Sequence, residues 1–222
     1  MAQETEIKLK VADLKALLRR LKKLRARPLG AGSGRVHEMN VIFDTPQGAL
    51  AKRGQLLRIR TETPEPSGKK PRRISASNLP KQRIVLTFKQ PPADADDPSG
   101  PGTRPRHKVR EELELEITDA GTLTRVFEGL GMHGWFRYEK YRTTYQLPSA
   151  SPWANGLFID LDETPIGIFL ELEGPPAAID RAANELGYSK RDYNVKNYLT
   201  LYAEACRREG NEPRDMLFAP TK

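Results

Sequence analysis

The stretch Glu4-Thr5-Glu6-Ile7-Lys8-Leu9-Lys10-Val11 decides the fold, because its charged and uncharged residues alternate almost without a break. Successive side chains of a β-strand point to opposite faces of the sheet. This strand therefore has a charged face, with Glu4, Glu6, Lys8 and Lys10, and a second face that carries the aliphatic side chains. The two carboxylates precede the two ammonium groups, an order that suits a surface holding metal ions at one end and a polyanion at the other.

Seven further segments repeat the alternation, at 36–44, 55–60, 83–89, 110–117, 140–144, 157–162 and 170–173. Any antiparallel sheet with one face in water shows this pattern, so a solvated face is the simpler interpretation of a single segment. Seven of the eight segments carry a row of ionisable residues, with acids concentrated on four segments and bases on four, and this combination favours an enclosed face instead. Two carboxylates about 4 Å apart repel by about 4 kcal/mol at an effective dielectric constant of about 20, so enclosed acids need cations among them.

Four helices are expected outside these strands. Asp13 can cap the first, which runs to about Leu24, and the second covers 118–131. The third runs from Pro175-Pro176 to Leu186, and the fourth covers 194–208, where Val195, Leu199 and Tyr202 are predicted to be buried. Strands and helices without regular βαβ alternation predict an antiparallel α+β protein.

Length and composition predict one domain at 1–209 followed by a flexible tail at 210–222. Residues 63–80 and 90–107 are rich in Pro, Gly, Ser and charge, which predicts disordered hairpin insertions. The formal net charge of +8 favours anionic partners. No apolar run approaches a membrane span, and the only cysteine, Cys206, excludes an internal disulfide. The first residues lack a signal-peptide core, so a cytoplasmic location is expected.

Seven short motifs, in their order along the chain, resemble the CYTH domain, also called the triphosphate tunnel metalloenzyme superfamily. They are Glu4-x-Glu6-x-Lys8, Phe43-Asp44-Thr45, Leu57-Arg58-Ile59-Arg60, Thr87-Phe88-Lys89, Glu112-x-Glu114, Lys140-x-Arg142, and Asp160 with Phe169-Leu170-Glu171-Leu172-Glu173-Gly174. This superfamily includes class IV adenylate cyclases, thiamine triphosphatases and inorganic triphosphatases. The resemblance implies an eight-stranded antiparallel β-barrel, a triphosphate tunnel, with charged residues inside and helices packed outside.

The resemblance also implies roles for the charged residues. The carboxylates expected to bind Mg²⁺ or Mn²⁺, which prefer hard oxygen ligands, are Glu4, Glu6, Asp160, Glu171 and Glu173. The acids expected to take part in catalysis are Glu4, Glu6, Glu112 and Glu114. The cations expected to bind the triphosphate are Lys8, Lys10, Arg58, Arg60, Lys89, Arg110, Lys140 and Arg142, with Lys196 at the tunnel mouth.

Metal-dependent hydrolysis of a triphosphate, either inorganic triphosphate or a nucleotide or thiamine triphosphate, is the expected function. One alternative uses the same site as a class IV adenylate cyclase, which converts ATP to cyclic AMP and pyrophosphate. Another is a non-catalytic binder of polyphosphate or RNA, although acidic rows repel phosphate unless a metal intervenes. The expected partner is thus a small triphosphate rather than nucleic acid or a membrane, and monomer and homodimer both stay open.

Overall fold

The computed structural model describes residues 2–30, 33–65, 81–92 and 107–219. Its strands are β1 (Ala2–Lys10), β2 (Arg27–Pro28), β3 (Arg35–Asp44), β4 (Leu56–Pro64), β5 (Arg83–Gln90), β6 (Lys108–Ile117), β7 (His133–Gln146), β8 (Phe158–Thr164) and β9 (Gly167–Glu173). The predicted insertions at 63–80 and 90–107 lie mostly outside the described residues. Where they are described, residues 63–64 extend β4 and Gln90 ends β5.

Eight of the strands form a closed antiparallel barrel in the order β7-β3-β4-β5-β6-β1-β9-β8, and β8 pairs back with β7 to close it. The short β2 adds to the outside of this ring by pairing with β7. Closure leaves no long unpaired strand edge. The structure thus confirms the antiparallel α+β class predicted from the alternating segments and the eight-stranded barrel implied by the family resemblance.

The strand register brings opposite charges of neighbouring strands side by side. Lys8 pairs with Glu171 across β1 and β9, and Lys89 pairs with Glu112 across β5 and β6. Residues directly opposite each other in a sheet point to the same face. The charged rows of separate strands therefore meet inside one barrel.

The helices are α1 (Leu14–Lys23), α2 (Ala49–Lys52), α3 (Ala120–Gly129), α4 (Pro176–Glu185) and α5 (Tyr198–Glu209). Asp13 caps α1 as predicted, since its carboxylate accepts a hydrogen bond of 2.9 Å from Ala16 N. Leu21 of α1 and Ile179 of α4 pack with the aliphatic outer row of β1 in the main core cluster. In the described part of the chain, the helices are too short or too polar to cross a bilayer.

The prediction for the buried side of α5 is wrong. Tyr198, Leu201, Ala205 and Cys206 are buried, whereas the predicted residues Val195, Leu199 and Tyr202 are only partly buried. The helix begins four residues later than predicted, after the Asn197 cap, and its first turn packs against barrel residues such as Tyr138 and Phe169. Tyr198 reaches Asp162 inside the barrel, with 2.7 Å between the hydroxyl and the carboxylate.

Within the predicted flexible tail, residues 215–218 contact β7. Met216 N donates to Arg137 O and Glu139 N donates to Met216 O, each at 2.9 Å. The Met216 side chain is 1% exposed and joins a core cluster with Phe136 and Leu201. The apolar Met216 side chain thus attaches this part of the tail to the barrel.

Candidate functional site

The barrel encloses a cavity of about 210 Å³ with a mainly charged lining. Six elements of the ring supply the predicted residues that line it: Glu4, Glu6, Lys8, Arg58, Arg60, Lys89, Glu112, Glu114, Lys140, Arg142, Glu171 and Glu173. All of them belong to the alternating rows of the sequence. The period of two in each strand, combined with ring closure, is what brings them together.

Lys8 lies at the centre of the first charge cluster. Its Nζ is 3.1 Å from Glu6 Oε1 and 3.0 Å from Glu171 Oε1, and Lys108 Nζ also bonds Glu6. Burial by itself would raise the pKa of Glu6, but Lys8 and Lys108 outweigh burial and lower it well below its usual range. Burial likewise opposes the charge on Lys8, and Glu171 and Glu6 together raise its pKa. Glu6 and Lys8 therefore stay ionised at neutral pH.

Asp162 organises the second cluster. It accepts two bonds of 2.7 Å from Arg142 and one of 2.8 Å from Lys140 Nζ. Arg142 also binds Glu171, and its Nη1 is 2.7 Å from Asp160 Oδ2. The predicted acid Asp160 is thus buried against Arg142 beside the cavity. The carboxylates of β8 and β9 thus neutralise Lys140 and Arg142, the two cations of β7.

The third cluster spans β1, β4, β5 and β6. Lys89 Nζ lies 2.6 Å from Glu4 and 3.0 Å from Glu112, and Arg60 Nη2 lies 3.2 Å from Glu114. Arg58 is bound instead by uncharged groups, since it donates to Tyr138 Oη and Thr87 Oγ1, each at 3.1 Å. Its nearest carboxylate, Glu114, is 3.9 Å away. Arg58 is therefore the least neutralised of the buried cations in this cluster.

Glu173 differs from the other acids of the lining. No hydrogen bond or ion pair joins it to another side chain of the described ranges. Burial, followed by the negative charge of nearby Glu4, raises the pKa of Glu173 to about 8. A cation placed here would relieve both effects, so Glu173 is the carboxyl group of the cavity with most to gain from one.

The residues present fit Mg²⁺ or Mn²⁺ by chemistry, since the lining offers hard carboxylate oxygens. In the described ranges no three His, Cys, Asp or Glu side chains converge as a ready metal cage. Mg²⁺ does not require such a cage, because it usually keeps several waters and takes one or two carboxylates together with substrate phosphates. Glu173 and the neighbouring Glu4 are the donors that best match this requirement.

The structure does not bring three of the predicted phosphate-binding residues, Lys10, Lys196 and Arg110, to the charged cavity. Lys10 is the last residue of β1, and its side chain is exposed where the strand leaves the barrel. Lys196 precedes α5 and binds Glu204 on the surface, with 2.6 Å between Nζ and Oε1. Arg110 lines an adjoining cavity and donates to Gly54 O.

Sequence reasoning missed Lys108, Asp162, Glu38 and Tyr198 as site residues. The first three continue or belong to alternating rows, so extending each row by its period of two would have found them. Glu38 is 2% exposed and lies 3.5 Å from Lys140. Tyr198 comes from a helix, and no local sequence signal indicates that it enters the barrel.

Comparisons with known proteins give both a family and a fold. A family model for the CYTH domain matches residues 2–196. A candidate adenylate cyclase from Vibrio parahaemolyticus aligns with a TM-score of 0.62 and 19% identity, over 88% of this chain and 94% of that one. The PH1819 protein from Pyrococcus horikoshii aligns with a TM-score of 0.64 and 21% identity, over 91% and 99% of the two chains.

HpAC1 from Hippeastrum, a candidate adenylyl cyclase that reveals a dominant triphosphatase activity, aligns with a TM-score of 0.52 and 21% identity, over 95% and 97% of the two chains. No curated protein sequence matches the chain. At these sequence identities the structural alignments show the fold alone. The family model matches nearly the whole chain and therefore shows the family. This protein therefore belongs to the CYTH domain family.

Proposed function

We propose that this protein is a divalent-metal-dependent triphosphatase that hydrolyses a small triphosphate inside the barrel. The observation that carries the proposal is the mixture of charge in one enclosed cavity, where buried cations such as Lys8 and Lys140 lie among carboxylates. Cations are needed to bind phosphate oxygens. Acids repel phosphate, so their presence in the same lining is explained if a metal ion binds between the two.

The cations of the cavity would hold the triphosphate along the barrel. Arg58 is the strongest candidate, because its partners are uncharged and its buried Nε has no partner among the described residues. A guanidinium with donors to spare can bind phosphate oxygens bidentately. Lys8, Lys140 and Arg142 would offer further positive charge to the phosphates once their partner carboxylates bind another cation instead.

Glu4 and Glu173, with Glu6 and Glu171 beside them, would hold the metal. A bound divalent ion would polarise the phosphoryl oxygens and neutralise the charge that develops on them. Phosphoryl transfer depends mainly on positioning and electrostatics, so the site needs no covalent nucleophile. Burial raises the pKa of Glu112, which suits this carboxylate to accept a proton from the attacking water.

The test is a panel of inorganic triphosphate, ATP and thiamine triphosphate, assayed with Mg²⁺ or Mn²⁺ and with chelator. We expect metal-dependent release of phosphate, and a fall in kcat of about 100-fold or more for Glu6→Gln, which unbalances the Lys8 cluster. Glu128→Gln, on the exposed surface of α3, is the matched control and should keep full activity. Turnover that survives chelator, or that is unchanged in Glu6→Gln, would refute the proposal.

Adenylate cyclase activity is the second candidate, because two of the structural relatives are candidate cyclases. The same panel separates the two reactions. Cyclic AMP and pyrophosphate formed from ATP and Mn²⁺, without free phosphate, would favour the cyclase. Tight polyphosphate binding that ignores chelator and gives no product would favour a simple binder.

A further inference from the structure

The net positive charge of this chain comes from one segment. Residues 14–37 contain eight Lys and Arg side chains and no Asp or Glu. The chain has 37 Lys and Arg residues, so the 29 that lie elsewhere are balanced by its 29 Asp and Glu residues. The formal charge of +8 is therefore the charge of this segment, which runs from α1 through β2 into the start of β3.

Six of these cations are exposed, and we name them the basic face: Lys15, Arg19, Lys22, Lys23, Arg25 and Arg27. Within the described ranges, none of the six side chains has an ion pair or a hydrogen bond. The other two cations are used within the fold, because Arg20 donates to the backbone at the end of α4 and Arg35 binds Glu163. Leu17 and Leu21 of α1 are buried in the main core cluster, which holds the helix on the barrel.

The basic face borders a surface cavity of about 300 Å³ between α1, β2 and the end of β7. Its apolar lining comes from Leu18, Leu21, Ala26 and the ring of Tyr145. Three cations of the basic face complete the lining: Lys22, Arg25 and Arg27. Leu18 is 40% exposed although it is a large apolar side chain. The cavity thus combines an accessible apolar surface with cations that the described part of the chain does not neutralise.

The end of α1 brings one of these cations to the cavity at the cost of backbone strain. Arg25 N donates to Lys22 O at 3.0 Å, and Ala26 N donates to Leu21 O at the same distance. These two bonds form the Schellman arrangement of a helix end, in which the residue with positive φ is usually glycine. Here that residue is Arg25, with a φ of 57°. A binding role for its guanidinium would explain why arginine stands where glycine relieves the strain.

One carboxylate lies near the cavity, but it is already bound. The pKa of the Tyr145 hydroxyl is raised by burial and, to a smaller extent, by the negative charge of Glu163. Both carboxylate oxygens of Glu163 accept hydrogen bonds from Arg35, at 2.8 and 3.1 Å. Glu163 is therefore not available to the basic face.

Three classes of anionic partner are candidates for this surface, and the cavity distinguishes them. The phosphate backbone of a nucleic acid supplies charge but no apolar group to fill the cavity. A membrane-binding amphipathic helix buries its apolar face in lipid, whereas the apolar face of α1 is already packed on the barrel. An acidic protein segment with one bulky apolar side chain matches both the cations and the cavity.

We propose that the basic face binds an acidic segment of a partner protein, and that one bulky apolar side chain of this segment enters the cavity between Leu18 and Tyr145. Carboxylates on either side of that apolar residue pair with Lys22, Arg25 and Arg27. The site lies outside the barrel, and no residue of the basic face lines the charged cavity. The proposal is therefore independent of the proposed triphosphatase function.

The test uses the full-length protein and two labelled peptides, with binding followed by fluorescence anisotropy. One peptide consists of Asp and Glu with a single central Phe, and the other has Ala in place of that Phe. We expect the Phe peptide to bind about 10- to 100-fold more tightly, the range for burying a large apolar side chain. Added NaCl should weaken both peptides, because exposed charges are screened by salt. A Phe peptide that does not bind, or that binds no better than the Ala peptide, would overturn the proposal.

Variants locate the binding on the surface. Lys22→Gln combined with Arg25→Gln should weaken the Phe peptide by about 2- to 30-fold, the range for loss of two exposed ion pairs. The matched control removes the same charge from the exposed end of α5, with Arg207→Gln and Arg208→Gln, and should bind nearly as the wild type does. An equal loss in both double variants would mean that net charge alone attracts the peptide, and the proposal would fail.

Leu18→Ser tests the apolar part of the site. The variant should reduce the advantage of the Phe peptide over the Ala peptide and leave binding of the Ala peptide nearly unchanged. Phosphate release from inorganic triphosphate should be the same in this variant as in the wild type, because Leu18 is outside the charged cavity. The competing partners are tested with a short RNA and with phosphatidylserine vesicles. If either of these binds more tightly than the Phe peptide and is weakened by Lys22→Gln with Arg25→Gln, the surface belongs to that partner instead.

Discussion

At the scale of single residues, Glu173 is a carboxyl group whose ionisation is strongly opposed by its surroundings. Burial and the charge of Glu4 raise its pKa to about 8, from an ordinary value of 4.5. The folded protein then keeps a proton that the unfolded chain releases as pH rises above 4.5. The folded state therefore loses stability as pH rises from about 4.5 through 8.

Glu173→Gln mimics the protonated carboxyl and should remove this pH dependence. With chelator present, we expect the variant and the wild type to unfold with similar free energies at pH 5. At pH 9 the variant should be more stable by a few kcal/mol, the order of magnitude of a shift of several pKa units in a partly solvated group. Urea unfolding at pH 5, 7 and 9 measures the difference, and a difference that is the same at all three values would contradict the account.

The sequence predicted the rows that carry these charges but not the partner of each charge. The alternation predicts that Lys8 shares a face with Glu6, yet the contact of Lys8 with Glu171 depends on the stagger between β1 and β9. Stagger is set by ring closure, which no single segment encodes. For the same reason the isolation of Glu173, which makes it the best metal-binding candidate, was not visible before the strands were paired.

At the scale of elements, strands were predicted better than the segments that close the barrel end. Alternation with a period of two is a local signal, and all eight predicted strands are present. The orientation of α5 and the course of residues 215–218 depend on long-range packing around Tyr138 and Phe169. Lys196 was therefore placed at the tunnel mouth by resemblance, whereas the chain turns it to the surface beside Glu204.

The packing of residues 215–218 gives a prediction for stability. Met216→Ala should lower the free energy of unfolding by about 2–4 kcal/mol, because it empties a site that is 1% exposed among Phe136 and Leu201. Leu217→Ala is the control. The Leu217 side chain, next to Met216 in the sequence, is 36% exposed, so its truncation should cost less than about 1 kcal/mol. Denaturant unfolding distinguishes the two, and equal small effects would mean that this segment does not stabilise the barrel.

At the scale of the whole molecule, the protein carries a net positive charge, whereas cations and carboxyl groups nearly balance each other inside the charged cavity. The net charge is +8, yet the described lining of the charged cavity has seven cationic side chains and six carboxyl groups. With Glu173 protonated, the lining carries a net positive charge that favours an anion. Most of its cations are nevertheless bound to carboxylates, as Lys89 is bound to Glu4 and Glu112.

This arrangement predicts that metal and triphosphate bind cooperatively. A triphosphate must displace the carboxylates from their ion pairs with Lys8 and Lys89. The displaced carboxylates then need another cation. Mg²⁺ supplies one, so each ligand should tighten the binding of the other by the same factor, of about 5- to 150-fold. Calorimetric titration of imidotriphosphate with Mg²⁺ or with chelator measures that factor once the affinity of the two ligands for each other in solution is subtracted.

Glu173→Gln provides the variant that isolates the coupling. The substitution keeps the size of the side chain but removes a carboxylate that the metal would use, so imidotriphosphate should bind about as well as in the wild type without Mg²⁺ and gain less when Mg²⁺ is added. Glu128→Gln, on α3 and outside the cavity lining, should retain the full gain. If Mg²⁺ improves binding equally in all three proteins, the ion acts through the free ligand alone, and the carboxylates of the barrel hold no metal.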